Sequence, residues 1–348
     1  MTDPTITERA LSQRMWNVRQ LTETENLSLA IDLGSRVVAD AERLLGADHP
    51  GTQFARNLLA IAYRSAGQLA QAIELLEAVV ASRTSTLGAV HHDTLISRNE
   101  LAYANCSAGR SDAAIREFEK LVLDHIDVFG AADPHTLHQQ HDLAGAYRQA
   151  GRSEDAVALL ESVCADRSRV LGPDDPSTMA SHNNLGHAYL TAGRHDEAIT
   201  TLQSVCGSRA GRLGEDHPDT MTSRNNLAAA YCIANRPDEA VALLEQVCAD
   251  LIEHLGVDHP KTLSSRDNLA GAYGSAGRVD ESVALHEEVL ADFRRVLGDD
   301  HPDTLLARNN LAGAYEKAGR LDAAATCASL AKPSNSTHSP TTGEAGHD

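Results

Sequence analysis

Aromatic side chains are scarce: one Trp, seven Tyr and four Phe in 348 residues. Sheets favour aromatic and β-branched residues. A core resting on Leu, Ala and Val instead points to close-packed helices. Positive charge is in deficit, with 30 Lys and Arg against 49 Asp and Glu, a formal net charge of −19. Such a chain repels phosphate backbones and anionic membrane surfaces, so neither nucleic acid nor membrane is an expected partner. Lysine is rare among the basic residues, at Lys120, Lys261, Lys317 and Lys332 only. This bias towards Arg, with abundant Ala, suggests a GC-rich bacterial genome. No apolar run approaches the roughly 20 residues that span a bilayer. The opening "MTDPTITERALSQ" lacks the basic and apolar regions of a signal peptide. None of the six cysteines forms a C-x-x-C pair, and Cys164, Cys206 and Cys248 recur at one spacing. They read as small core residues in a reducing, cytoplasmic compartment. H-E-x-x-H, a nucleophile elbow and a phosphate loop are all absent, and no cofactor or metal is expected.

What the chain has in abundance is repetition. Leu-Gly or Phe-Gly recurs every 42 residues at Gly46, Gly88, Gly130, Gly172, Gly214, Gly256 and Gly298, with a Thr six residues after each glycine. Such self-similarity overrides any domain count based on length. Each unit encodes two helices. The first starts near a His-Pro pair, where Pro suits the first helical position and Asp303 or Thr304 can cap or charge the first turn. It ends at a glycine such as Gly151, Gly193, Gly277 or Gly319. The second opens on acids such as Asp238 and Glu239, which complement the N-terminal dipole. Its apolar stripe, Val241, Leu244, Val247, Cys248 and Leu251, has helical spacing.

Arg224, Leu227, Ala228 and Tyr231, followed by Ala240 and Leu244, keep the large–small–large order of the tetratricopeptide signature, with Arg in place of its leading Trp. Together with "LGxDHPxT" and "NNLAxxY", they resemble the 42-residue kinesin light chain class of tetratricopeptide repeats over residues 46–331. The resemblance implies an all-α, right-handed superhelical solenoid of about eight antiparallel helix pairs, with first helices lining a concave groove. Residues 1–45 read as a degenerate N-terminal capping repeat. The last unit, ending at 331, is truncated, and the Pro/Ser/Thr/Gly-rich stretch 332–348 reads as a disordered tail.

The resemblance also implies a function: a protein-interaction scaffold that binds a peptide or protein segment in its groove. By the family pattern, contacts come from first-helix positions around the motif Leu. The expected groove residues are Asn183, Asn184, Asn225, Asn226, Asn268, Asn309, Asn310, Tyr103 and His141. A primary amide both donates and accepts, so a ladder of them can grip a peptide backbone whatever its side chains. The same amides can equally bond to one another or to helix ends. Arg56, Arg98, Arg224, Arg266 and Arg308 form a second ladder, read as packed stems whose heads neutralise nearby acids.

The formula breaks in "DPHTLHQQHDLAGAY". There Glu100, His138, His141, Asp142 and His187 are candidates for a metal site, an acid/base site or a pH-sensitive binding surface. An enzyme or small-ligand sensor built on them is the alternative to the scaffold, which the sequence favours. Self-association through an uncapped C-terminal helix is a further possibility. The loop histidines His49, His217, His259 and His301 are read as structural.

Overall fold

The computed structural model describes residues 4–215 and 217–330. Sixteen helices and no strand occur among the described residues, as the poverty in aromatic residues predicts. The chain divides into two compact units, Met1–Arg194 and His195–Asp348. The first contains the pairs α1 (Pro4–Glu23) and α2 (Leu27–Leu45), α3 (Pro50–Ser65) and α4 (Leu69–Leu87), α5 (His92–Ser107) and α6 (Ser111–Phe129), α7 (Pro134–Gln149) and α8 (Ser153–Val170), then α9 (Pro176–Thr191). The second contains α10 (His195–Leu213), then α11 (Pro218–Ile233) and α12 (Pro237–Leu255), α13 (Pro260–Ser275) and α14 (Val279–Leu297), α15 (Pro302–Lys317) and α16 (Leu321–Leu330). The expected end of the last unit at 331 and the 332–348 tail lie outside the described residues.

The helix boundaries follow from side-chain chemistry at the turns. The first helices are capped by the loop histidines themselves: His49 Nδ1 accepts from the Gly51 amide at 3.1 Å, and His91, His217, His259 and His301 repeat the contact at 3.2 Å. Asp133 and Asp175 do the same at 2.8 Å. The cap therefore belongs to His301 and not to Asp303 or Thr304. The repeated threonine is buried instead; Thr52, Thr136 and Thr220 each donate to the carbonyl of the glycine six residues earlier. Past the end of α11, Asn235 takes φ +58°, as Glu25 does after α1, where the remaining repeats have glycine at +70° to +77°. Asn is the residue that best tolerates that region after glycine.

Packing within each unit is the interlock expected of the repeat signature. Ala228 and Leu244 are 0% and 2% exposed, so the small residue brings two helices close and the Leu fills beside it. Burying one such Leu is worth about 1.5–3 kcal/mol. Cys164 and Cys248 are buried in the same stripe, and burial pushes both thiols up to about 12, which makes them inert. Tyr147, Tyr189, Tyr273 and Tyr315 are anchored by hydroxyls that donate to a Glu 28 residues earlier at 2.7–2.9 Å.

The Arg ladder is structural, as read. Arg98 bonds Glu117 and Asp124 at 2.6 Å, Arg266 bonds Asp292 at 2.9 Å, and Arg224 reaches both Glu215 and Asp250. These side chains are only 10–19% exposed, so their stems pack between helices while their heads are neutralised.

Candidate functional site

The asparagines of the N-N-L-A motif have a definite geometry. The residue one before the motif Leu reaches back to the residue two before the motif Leu of the preceding repeat. Asn184 Nδ2 lies 2.8 Å from His141 Nε2, Asn268 Nδ2 donates to Asn225 Oδ1 at 3.0 Å, and Asn310 Nδ2 donates to Asp267 Oδ2 at 2.6 Å. Half of each amide thus closes a seam between repeats. The Oδ1 atoms of Asn268 and Asn310 remain as acceptors, and both residues are exposed. Asn225 also donates to Ser265 Oγ and Met221 O, so it belongs to the seam. Asn183 and Asn226 are half-buried and engaged.

Four of these asparagines line a pocket of about 400 Å³ in the second unit, where Asn225, Asn268, Asn309 and Asn310 meet Gly271, Gly313 and Lys317. A Cβ on Gly271 or Gly313 would meet nothing within 4 Å, so the space beside both is open. Its floor holds a pair that the sequence reading missed: His286 Nδ1 lies 2.8 Å from Asp267 Oδ1, and both side chains are less than a tenth exposed. A signal was available. His286 stands where Leu160, Leu202 and Leu244 stand in other repeats, and Asp267 stands where Asn183, Asn225 and Asn309 do.

Within the first unit, α9 keeps the amide as Asn184, but in α3, α5 and α7 the seam has different chemistry. Leu58, Glu100 and Asp142 occupy the donor position, and none is an amide. The acceptors they would serve, Asn57 Oδ1 and Asn99 Oδ1, are buried with no hydrogen-bond partner, as is Asp142 Oδ2. Burial pushes the carboxyls of Glu100 and Asp142 up, against the pull of Arg64 on the first and of His138, Tyr103 and Arg167 on the second. Arg64 lies 3.3 Å from Glu100, and His138 lies 3.6 Å from Asp142. His141 is held between Asn184 and Ser181 Oγ, the latter 3.2 Å from Nδ1. Burial, helped by Arg167 and His138, lowers its pKa to about 4, so the ring is neutral at ordinary pH. Tyr103 packs edge-on against Phe118, its hydroxyl pushed up by burial and by Asp142.

Glu100, Tyr103, His138, His141 and Asp142 are therefore brought together, with Asp142 at their centre. His187 is not placed with them by any contact: it is half-buried, and burial and Arg148 lower its pKa. Among the described residues, no group of three or more His, Cys, Asp or Glu is arranged to hold a metal ion.

Two tetratricopeptide repeat models match the chain, one over residues 17–85, 55–122, 135–210 and 261–331, the other over 220–261. The chain belongs to the tetratricopeptide repeat family. Its repeats are of the kinesin light chain kind: nearly identical TPR-like repeats of that name from Podosopora anserina are 35% identical over 60% of this chain and 98% of theirs, with a TM-score of 0.54. The fold is also that of the apo quorum sensor NprR from B. thuringiensis, at 12% identity, 92% and 86% coverage and a TM-score of 0.61. A Rap protein solved with competence and sporulation factor shares it at 10% identity, 92% and 95% coverage and a TM-score of 0.53. No curated protein matches the sequence. No described helix of this repeat protein is long and apolar enough to cross a membrane. Repeat arrays of this kind serve as binding surfaces for other proteins.

Proposed function

We propose that this protein is an interaction scaffold that binds an extended peptide in the pocket of its second unit. The carrying observation is the convergence of Asn268, Asn309 and Asn310 on an open space of about 400 Å³ beside Gly271 and Gly313. Asn268 and Asn310 each spend one N–H on the seam and keep an amide oxygen for a peptide N–H. Asn309 offers a whole amide. Such groups hold a backbone irrespective of side chains. Lys317 at the rim, beside Gly274, selects an acidic residue of the partner.

The test is selection of a displayed random-peptide library on the full chain, then affinity measurement for the winners. Asn309→Ala with Asn268→Ala is expected to weaken them at least 10-fold, and Lys317→Ala to weaken those with acidic residues. Winners that bind the double variant unchanged overturn the assignment.

A further inference from the structure

The pocket of the second unit collects the departures of the repeat that builds it. Asp267 and His286 have already been described on its floor. Ser282 stands where Ala198, Ala240 and Ala324 stand in other repeats. No other repeat has a glycine in the column of Gly274 or a cation in the column of Lys317. All five residues line the pocket. A Cβ on Gly274 would stand 3.0 Å from Ser282 Oγ and 3.9 Å from Lys317 Nζ, so the hydroxyl and the ammonium flank the space where a side chain is missing. Ser282 and His286 are four residues apart on α14 and share one of its faces.

The hydrogen bonds at the floor decide what a ligand meets. Both carboxylate oxygens of Asp267 are taken, Oδ1 by His286 Nδ1 at 2.8 Å and Oδ2 by the Asn310 amide at 2.6 Å. A carboxylate only accepts, so the imidazole holds a proton on Nδ1 and turns Nε2 away from Asp267. Neither His286 Nε2 nor Ser282 Oγ has a hydrogen-bond partner, and neither is sealed from solvent as Asn57 Oδ1 and Asn99 Oδ1 are, so both open into the pocket they line. The helices packed against α14 are α13 and α15, and the ionisable groups they bring to the pocket are Asp267 and Lys317. α11 adds Cys232, whose thiol burial pushes up, so it stays neutral. A second proton on His286 makes an imidazolium that Asp267 balances, which leaves the charge of Lys317 over. One negative charge completes the set, and a second would be buried unpaired.

We infer that the floor of this pocket is a carboxylate site, in which Ser282 Oγ, Nε2 of protonated His286 and Lys317 all donate to the acidic group of a bound peptide. The group comes from an Asp or Glu side chain or from a chain terminus. This inference rests on the peptide reading of the same pocket and adds a condition to it: the acid is held when His286 carries both protons and released when Nε2 becomes an acceptor, so affinity falls as pH rises.

Four capped alanine peptides titrated into the full chain test the site: one with a central Glu, its Gln counterpart, one with a free C-terminal carboxylate, and its C-terminal amide. The His286 Cε1–H NMR signal is followed. At about pH 6, at least one acid is expected to bind at least 10-fold more tightly than its neutral counterpart and to shift this signal; the tighter acid identifies the source. The advantage is expected to shrink at least 10-fold by about pH 9. Asp267→Asn with His286→Leu, which restores the residues of other repeats, is expected to abolish the pH dependence. Ser282→Ala, also the residue of other repeats, is expected to weaken the acid and leave the neutral peptide unchanged. Equal binding of acid and neutral peptides, a pH dependence that survives in the double variant, or tighter binding of a phosphoserine peptide overturns the inference. Acid selection that is indifferent to Asn309→Ala with Asn268→Ala would overturn the backbone grip and leave the carboxylate site standing. Library winners that need those asparagines but show no preference for an acid would do the reverse.

Discussion

The two units share a repeat but close it differently. In the second, an amide donor meets an amide or carboxylate acceptor, as Asn268 meets Asn225 and Asn310 meets Asp267. In the first, Asn184 still reaches His141, but where Glu100 and Asp142 hold the donor position Asn57 Oδ1 and Asn99 Oδ1 are left without a partner. One backbone therefore supports a seam with its hydrogen bonds made and a seam with them missing. What differs is a single donor per repeat. The consequence is that the second unit has amide oxygens to offer a ligand, whereas the first has buried acids that resist ionisation.

This contrast can be broken most severely at its most polar point. Asp267→Ala removes the partner of His286 and of Asn310 at once, and is expected to cost about 3 kcal/mol in urea unfolding, the scale of losing buried hydrogen bonds to a carboxylate. Asp267→Asn with His286→Leu restores the formula of the other repeats and should recover that loss; if it does not, the pair is more than a local substitution.

Asp142→Asn sharpens the contrast from the other side by giving the first unit an amide donor towards Asn99. It is expected to stabilise by about 1 kcal/mol at neutral pH. The pH dependence has a definite sign. The carboxyl of Asp142 is raised in the folded state, so wild type loses stability as pH rises from about 3.8 through the folded value. The variant should lack that loss, seen as slower amide exchange along α7. His141 acts in the opposite direction. Its pKa is lowered to about 4, so its contribution is present above 6.5 and is lost as pH falls from 6.5 towards 4. His141→Gln should flatten that acid limb. Asn268→Ala removes one ordinary neutral hydrogen bond and should cost about 1 kcal/mol. At the small end, Arg236→Ala breaks a pair with Glu239 whose side chains are 39% and 48% exposed, and is expected to change urea unfolding by less than Asn268→Ala does.

Much of this architecture is legible in the sequence because periodicity repeats each signal several times. The glycines with positive φ, the buried Ala228 and Leu244, and the neutralised Arg ladder all follow from position in the repeat. The capping role of the histidines, set against Asp303 and Thr304, depends on which nitrogen points at which amide, and periodicity carries no such direction. The site was legible only in part. The departures at Glu100, His138, His141 and Asp142 stand out because they cluster in sequence. Asp267 and His286 lie 19 residues apart and meet only after folding. Comparing each column of the repeat against itself, one column at a time, would have exposed the pair. His187, chosen because it stands two residues after the motif Leu, feels the charge of Arg148 instead.

The seam gives the chain a grammar for changing its length. In the second unit, α13 and α15 each carry a donor for the repeat behind, so a unit can be excised if the new neighbours still match. Removing residues 260–301 would join His259 to Pro302, preserving the capped turn. It would take Asp267 and His286 out together and leave Asn310 facing Asn225, the acceptor that already serves Asn268. A 42-residue deletion of that kind is a grammatical sentence, and a protein written this way can shorten by recombination without inventing a new junction.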